Sequence, residues 1–208
     1  MMKSPLITAI TCFILISNSK LCFSQDTINL LNGRKIITRS IYDEPANALL
    51  KYDIIIRGKA KQKAVDKINI FSINYFDKTD RILYRQDTAI GFNLSITEME
   101  YYILGEQEAI KNFKAPWITV GGFVFGATAT NFVGFWGLLT PAVYGTVMGV
   151  IDPKIKLSDS TKVELKSNKN FVDGYMTTAT RKKVKNAILG SVVGATVLAI
   201  TSAIINAL

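Results

Sequence analysis

The feature that most constrains this chain is a run of 37 residues, 115–151, that carries no charged side chain. A membrane-spanning helix needs about 20 consecutive apolar residues, and the run exceeds that length. Within it, Gly122, Gly126 and Gly134 are separated by multiples of four residues. Small residues at this spacing let membrane helices approach each other closely. We therefore predict a glycine-rich transmembrane segment whose glycines pack against another helix.

Two spanning arrangements are compatible with the length of this segment. The first is a helical hairpin, about 117–132 and 135–151, with a turn near Gly134. The second is one span followed by a kinked or interfacial piece after Pro141, since proline interrupts a helix. A third possibility is that the hydrophobic segments pack on each other and on a sheet without spanning. The polar residues that favour this third possibility are Thr128, Thr130, Asn131 and Thr140.

A second uncharged stretch, 186–208, has 23 residues. It is long enough to span a bilayer with some tilt, so we predict a C-terminal transmembrane helix. Small residues again repeat every four positions, and we expect this stripe to pack on the one in 115–151. The predicted helix-packing residues are Gly122, Gly126, Gly134, Gly190, Gly194, Ala195, Ala199 and Ala203.

The first 24 residues have the pattern of a secretory signal peptide. Lys3 precedes an apolar run that is too short for a comfortable span, and small residues before Gln25 supply a cleavage site. Both cysteines, Cys12 and Cys22, lie in this segment, and the chain has no histidine. A cleaved protein would therefore lack the usual zinc, copper and haem ligands, disulfides and thiol chemistry.

Residues 25–92 are predicted to form a β-rich extracytoplasmic domain. Five strands with short connections are expected, and Asn32-Gly33 marks a hairpin between the first two. This number of strands suits a small antiparallel sheet or barrel. A lysine cluster after the third strand is expected to be a solvated loop. The predicted strands are 27–31, 35–42, 48–57, 68–76 and 81–85, and the lysines are Lys59, Lys61, Lys63 and Lys67.

Residues 95–114 are predicted to form an amphipathic helix. Thr97 and Glu100 have the spacing of a capping box, and apolar residues recur at helical intervals from Met99 to Phe113. Glu106 falls on or beside this apolar stripe, where an unpaired charge would be costly. Two interpretations stay open: a carboxylate exposed at the rim of the helix, or a Glu106 that is paired with a partner charge and used functionally.

Residues 152–185 are predicted to form a basic polar loop, with nine basic and four acidic side chains. Arg181, Lys182, Lys183 and Lys185 stand directly before the last predicted span, and we expect them to contact anionic lipid headgroups. Basic residues beside a span favour the cytoplasmic side, which supports a single crossing in the first hydrophobic segment. The length of that segment instead favours two crossings.

Together these segments predict an α+β chain: a small antiparallel β-sheet or barrel domain, then an amphipathic helix and glycine-rich hydrophobic transmembrane helices. The sequence of residues 26–33, directly after the signal, resembles a recurrent group of uncharacterised Gram-negative envelope proteins with this layout. The similarity extends to Tyr102…Gly105-Glu106…Ala109 and to Gly174-Tyr175 followed by Arg181-Lys182-Lys183. The resemblance implies export and the overall organisation, and no reaction.

Three classes of function are compatible with these features. We expect a non-enzymatic, membrane-anchored envelope protein whose β-domain is an interaction module. The first alternative is a small channel, transporter-accessory or pore-forming subunit, lined by the polar residues of the first hydrophobic segment. The second is a carboxylate-dependent envelope hydrolase, since an acid and a base can be supplied by paired carboxylates. Its candidates are Glu98, Glu100, Glu106 and Glu108, which equally suit a solvated helix face.

The expected partners are membrane lipid and either a second copy of the chain or another envelope protein. The formal net charge of +9 at pH 7 does not indicate nucleic-acid binding, because export separates the protein from nucleic acid. Outer-membrane proteins span as barrels, so long apolar helices favour the inner membrane. We therefore expect an inner-membrane protein with a periplasmic β-domain and with no catalytic residue, metal or cofactor.

Overall fold

The structure, a computed structural model, describes residues 25–157 and 163–207, so the predicted signal peptide lies outside the described residues. Two small sheets are followed by helices, and the predicted α+β class is confirmed. The chain divides into two compact units. Within the described residues, the first unit comprises 25–29 and 35–83, and the second comprises 30–34, 84–157 and 163–207.

Seven strands of the described chain form two sheets, where the sequence predicts five strands in one sheet or barrel. They are β1 (Asp26–Leu30), β2 (Lys35–Thr38), β3 (Ser40–Tyr42), β4 (Leu49–Ile56), β5 (Lys59–Asp66), β6 (Ile70–Asn74) and β7 (Asp80–Ile82). One sheet has the order β2-β1-β6-β7 and the other the order β3-β4-β5. The first two strands form an antiparallel hairpin, as Asn32-Gly33 predicts.

The lysine cluster, for which the sequence predicts a loop, is instead strand β5. It pairs with β4 along its whole length, from Lys59 opposite Ile56 to Asp66 opposite Leu49. Seven of its eight residues are exposed, so it lacks the apolar alternation by which strands are recognised. Lysines on such an edge strand also oppose pairing with another chain. Lys67 lies just beyond the strand and pairs with Asp43 at 2.7 Å.

The second unit is mainly helical. Its helices are α1 (Ile96–Asn112), α2 (Pro116–Val133), α3 (Thr140–Val150), α4 (Val163–Ser167) and α5 (Lys169–Ala207). The capping box of α1 is formed by Ser95 and Glu98 rather than by Thr97 and Glu100. The Ser95 N–H donates to Glu98 Oε2 at 2.8 Å, and the Glu98 N–H donates to Ser95 Oγ at 3.3 Å.

The hydrophobic segment 115–151 has the form of a helical hairpin. Helices α2 and α3 are joined by a 3-10 segment, Gly134–Leu139. The Tyr144 hydroxyl of α3 donates to the Ile118 carbonyl near the start of α2 at 3.5 Å, and its ring lies 5.4 Å from that of Phe125. These contacts bring the start of α2 alongside α3.

Helix α5 is a continuous helix of 39 residues, and it replaces the second half of the predicted 152–185 loop. Its polar first half has a buried stripe of Phe171, Tyr175 and Ala179, at the four-residue spacing of a helix face. Gly174 and the threonines at 177, 178 and 180, which have low helix propensity, obscure this stripe in the sequence. Among the described residues, one helix segment, Lys169–Ile205, is long and apolar enough by length and composition to cross a membrane.

Candidate functional site

Two glycines bring α1 and α5 into backbone contact. A Cβ atom at Gly105 would overlap the carbonyl of Phe171, and one at Gly174 would overlap the carbonyl of Tyr102. Neither position can hold a larger residue unless the helices separate. This approach of small residues is the geometry that packs helices closely. It also determines what surrounds the next residue of α1, Glu106.

Glu106 is buried in this contact, with 1% of its surface exposed. The Thr178 hydroxyl donates to Glu106 Oε1 at 3.3 Å, and Arg181 Nη1 lies 3.6 Å from the same oxygen. Glu106 Oε2 is buried without a hydrogen-bond partner. Of the two interpretations of Glu106, the structure therefore has the carboxyl group inside the helix contact and not at the rim. Its ion pair with Arg181 is asymmetric, because the arginine side chain is 67% exposed.

The turn Leu30–Arg34 covers Glu106 from the other side. Gly33 has φ of 72°, a conformation that L side chains rarely adopt. A Cβ atom there would lie 2.5 Å from the Glu106 Cβ and 3.1 Å from Oε2. Glycine is therefore required at this position for two reasons: the backbone has a positive φ, and the Glu106 side chain leaves no room for a Cβ atom.

The environment of Glu106 favours its neutral form. Burial raises the pKa of Glu106 to about 7, although Arg181 and the Thr178 hydrogen bond each lower it. The carboxyl group is thus poised to gain or lose a proton near neutral pH. The Glu106 carboxyl group can therefore hold a proton or carry a negative charge. Glu98 is occupied by the capping box, and Glu108 accepts a hydrogen bond from Asn112 at 2.7 Å.

Lysines of the basic run 181–185 donate hydrogen bonds to carbonyls at the ends of helices. The Lys182 ammonium donates to the carbonyls of Ala109, Ile110 and Phe113 at 3.0, 2.6 and 3.2 Å, where α1 ends. The Lys183 ammonium donates to the carbonyl of Ile151 at 2.5 Å, where α3 ends. The last carbonyls of a helix have no partner within it, and cations interact favourably with that end.

The sequence predicts that four basic side chains contact lipid headgroups, but these hydrogen bonds engage two of the four within the protein. Lys183 is 4% exposed, and its ammonium is occupied by a carbonyl. Lys182 is half-buried and occupied in the same way. Arg181 and Lys185 are the exposed members of the set. Headgroup contact is therefore a proposal for these two residues alone.

A second pair of glycine contacts joins α2 to α5. A Cβ atom at Gly122 would lie 2.6 Å from the Ala187 carbonyl oxygen, and one at Gly126 would overlap the Ser191 carbonyl. From α5, Gly190 meets the Thr119 carbonyl and Gly194 meets the Phe123 carbonyl in the same way. Both helices therefore contribute glycines to one interface.

Not every predicted packing residue lies in this interface. Ala195 is buried, but Ala199 and Ala203 are exposed. Gly134 ends α2 with φ of 57°, and a Cβ atom there would meet nothing within 4 Å. Gly105 and Gly174 are not among the predicted packing residues, although the four-residue spacing of Gly174 and Thr178 is a small-residue signal.

Comparison with known proteins adds no assignment to this geometry. No protein-family model, curated protein or solved structure matches the chain. Within residues 25–157 and 163–207, no group of three or more metal-ligating Asp or Glu side chains is present. The helices, the buried carboxyl group and the distribution of apolar surface are the features of the chain that bear on its function.

We predict that Gly126→Leu destabilises the helical unit by about 1–3 kcal/mol, because the side chain forces α2 away from the Ser191 backbone. Thermal unfolding in detergent, followed by circular dichroism, measures the change. Ala203→Leu is the matched control, since it enlarges an exposed small residue of α5. An equal effect of both substitutions would contradict the packing role of Gly126.

We predict that the stability of the helical unit falls as the pH rises from about 4.5 to about 7. The folded state binds the Glu106 proton more tightly than the unfolded chain, whose carboxyl has the ordinary value of 4.5. The loss across this range is about 3 kcal/mol. Denaturation at a series of pH values measures this loss of stability. The chain has no histidine, so no histidine titrates in the same interval. Glu106→Gln should flatten the profile, whereas the exposed control Glu100→Gln should keep it.

We predict that Lys183→Met destabilises the unit by about 1.5–3 kcal/mol, because it removes a charged donor from the Ile151 carbonyl. Hydrogen exchange in the last turn of α3 should accelerate. Lys185→Met is the control, since it removes the same charge from an exposed position two residues away. If both variants lose equal stability, net charge and not the carbonyl contact is responsible.

Proposed function

We propose that the chain is a non-enzymatic, membrane-anchored envelope protein. Helices α2 and α3 and the second half of α5 form the anchor in the inner membrane. The β-domain outside the cytoplasm acts as an interaction module for another envelope protein or a second copy of the chain. The export that this proposal requires is supported by the signal-peptide pattern of the first 24 residues.

The observation that carries the proposal is where the side chains of each size lie in these helices: the small ones are inside and the large apolar ones are outside. Glycine, alanine and serine lie in the contact between α2 and α5, whereas the large apolar side chains face outward. Trp117 is 82% exposed, Phe132 83% and Val150 80%. Extended apolar surface of this kind is unfavourable in water and is typical of protein that contacts lipid.

Helices α5 and α2 are each long enough for this anchor, whereas α3, whose 11 residues rise about 17 Å, crosses only together with the 3-10 segment Gly134–Leu139. The part of α5 from Asn186 to Ala207 rises about 33 Å, and α2 rises about 27 Å. The hydrocarbon core of a bilayer is about 30 Å thick. Only 22% of the most apolar 18-residue window of α5 is buried, whereas the core helix of a soluble protein is mostly buried.

The polar ends of the three apolar helices coincide. The Asn186 amide donates to the Ala115 carbonyl at 3.4 Å, so the second half of α5 begins beside the start of α2. Lys183 reaches the carbonyl of Ile151, where α3 ends. The charged residues that flank the segments, Lys114, Asp152 and Lys185, follow directly in the sequence. We assign this level to the membrane–water interface.

This arrangement favours three crossings: inward through α2, back outward through α3, and inward again through α5. Residues 152–185 would then lie on the same side as the β-domain. The charge of residues 152–185 opposes this topology, since Lys182 and Lys183 stay charged when they donate to helix carbonyls, and the proposal rests instead on the hairpin formed by α2 and α3. The pore and hydrolase alternatives have no comparable support. Thr128 and Thr130 donate to carbonyls of their own helix, at 2.9 Å to Val124 and Gly126.

A cysteine-labelling map tests the proposal. In a background with Cys12 and Cys22 replaced by serine, single cysteines are placed at Lys63, Lys154, Asn131 and Ile205, all of which are exposed. An impermeant thiol reagent applied to spheroplasts should label the first two sites and not the last two. A permeant reagent, as the control, should label all four.

Two other patterns would contradict the proposal. Protection of Lys154→Cys together with labelling of Ile205→Cys would mean one crossing in the first hydrophobic segment. Labelling of all four sites by the impermeant reagent would mean that the apolar helices do not span, and the anchor itself would be wrong.

A further inference from the structure

Helix α5 carries a shallow groove at the edge of its contact with α3, where Val184 and Ile188 approach Gly149 and Gly145. Its volume is about 480 Å³, and its lining surface is almost wholly apolar. The groove runs along two turns of the helix where the charged residues end. It is lined by Thr180, Arg181, Val184, Lys185, Ile188 and Leu189.

The two ends of the groove differ in chemistry. Arg181 and Lys185 are four residues apart, so they lie on the same helix face, one turn from each other. Both are exposed, and the lining includes no acidic residue. One to two turns further on, Ile188 and Leu189 are 38% and 50% exposed. Because the lining is almost wholly apolar, the aliphatic stems of Arg181 and Lys185 line the groove and their charged ends lie at its rim, so one end of the groove is bordered by cations.

We propose that this groove binds one anionic phospholipid. The phosphate lies between Arg181 and Lys185, and an acyl chain runs along Val184, Ile188 and Leu189. The inference rests on the proposed membrane anchor, because it places the cationic end at the interface and the apolar end in the hydrocarbon. Charge complementarity selects an anionic lipid over a zwitterionic one, since two cations attract the phosphate and repel a headgroup ammonium.

Arg181 can contribute to this site while it remains near Glu106. Its guanidinium has five N–H donors, and the structure places Nη1 3.6 Å from Glu106 Oε1. Two-thirds of the arginine side chain stays exposed, on the face that lines the groove. Lys182 and Lys183, which lie between the two groove cations in sequence, are directed to helix carbonyls instead.

Lipid retention by the full chain in nanodiscs tests the site. Nanodiscs of phosphatidylcholine, with or without phosphatidylglycerol, are released into native mass spectrometry, and the bound lipid is counted. The wild-type chain should retain one phosphatidylglycerol in preference to phosphatidylcholine. Lys185→Gln should weaken this preference about fivefold, the effect of one cation near an anionic surface. Arg181→Gln together with Lys185→Gln should abolish it.

The matched control is Lys169→Gln, which removes an equal charge from the exposed first residue of α5, about 18 Å along the helix from Arg181. It should leave the preference unchanged. Equal losses in Lys169→Gln and Lys185→Gln would overturn the site, because general attraction would then account for binding. Displacement of the lipid by soluble glycerophosphate would also overturn it, since the apolar end would be unused.

Failure of the anchor gives a different result. If the wild-type chain is released from membranes by alkaline carbonate, the proposed function is wrong and the lipid site falls with it. If the chain stays in the membrane but shows no preference for phosphatidylglycerol, the lipid site alone is wrong. Circular dichroism of Lys185→Gln verifies that the variant is folded.

Discussion

The helical unit depends on the approach of α5 to two other helices at backbone distance. Gly174 meets the carbonyl of Tyr102 in α1, and Gly190 meets the carbonyl of Thr119 in α2. The sequence offset is 72 residues in the first contact and 71 in the second, so both helices run parallel to α5 with nearly the same register. A side chain at either glycine would separate the helices. The burial of Glu106 and the carbonyl contacts of the lysines both require that the helices remain this close.

Because α1 ends before α2 begins, the last carbonyls of α1 need hydrogen-bond donors, and a lysine of the run 181–185 supplies them. Parallel packing on α5 places the end of α1 beside the middle of α5, where unpaired carbonyls need donors. Lys182 meets that need, and the next residue, Lys183, points to α3, which runs in the opposite direction and ends at the same level. Adjacent side chains of a helix point about 100° apart, so consecutive lysines can serve two different neighbours. The arrangement uses cations where an apolar side chain would leave carbonyls unsatisfied.

Periodicity allows much of this fold to be predicted from the sequence, and the differences have physical causes. The uncharged segments and the Asn32-Gly33 hairpin are recognisable because each follows a local rule. Strand β5 is not, because an exposed edge strand such as Lys59–Asp66 has no buried face to impose alternation. The first half of α5 escapes prediction because its buried stripe of Phe171, Tyr175 and Ala179 is short and lies among glycine and threonine residues of low helix propensity. Glu106 can be singled out from its position, but Gly33 cannot, since its contact joins residues far apart in the sequence.

The same contacts show that the cations of the run 181–185 are not equivalent in the folded chain. The positive-inside rule counts each Lys and Arg near the end of a span equally. In the run 181–185, the Lys182 and Lys183 ammonium groups are hydrogen-bonded to main-chain carbonyls of other helices, and the Arg181 guanidinium lies beside a carboxyl group. Only Lys185 has neither kind of contact in the described structure. The run therefore keeps its full charge, but two of its four cations are held at helix carbonyls, so a count from the sequence overstates how many of these side chains remain for other partners.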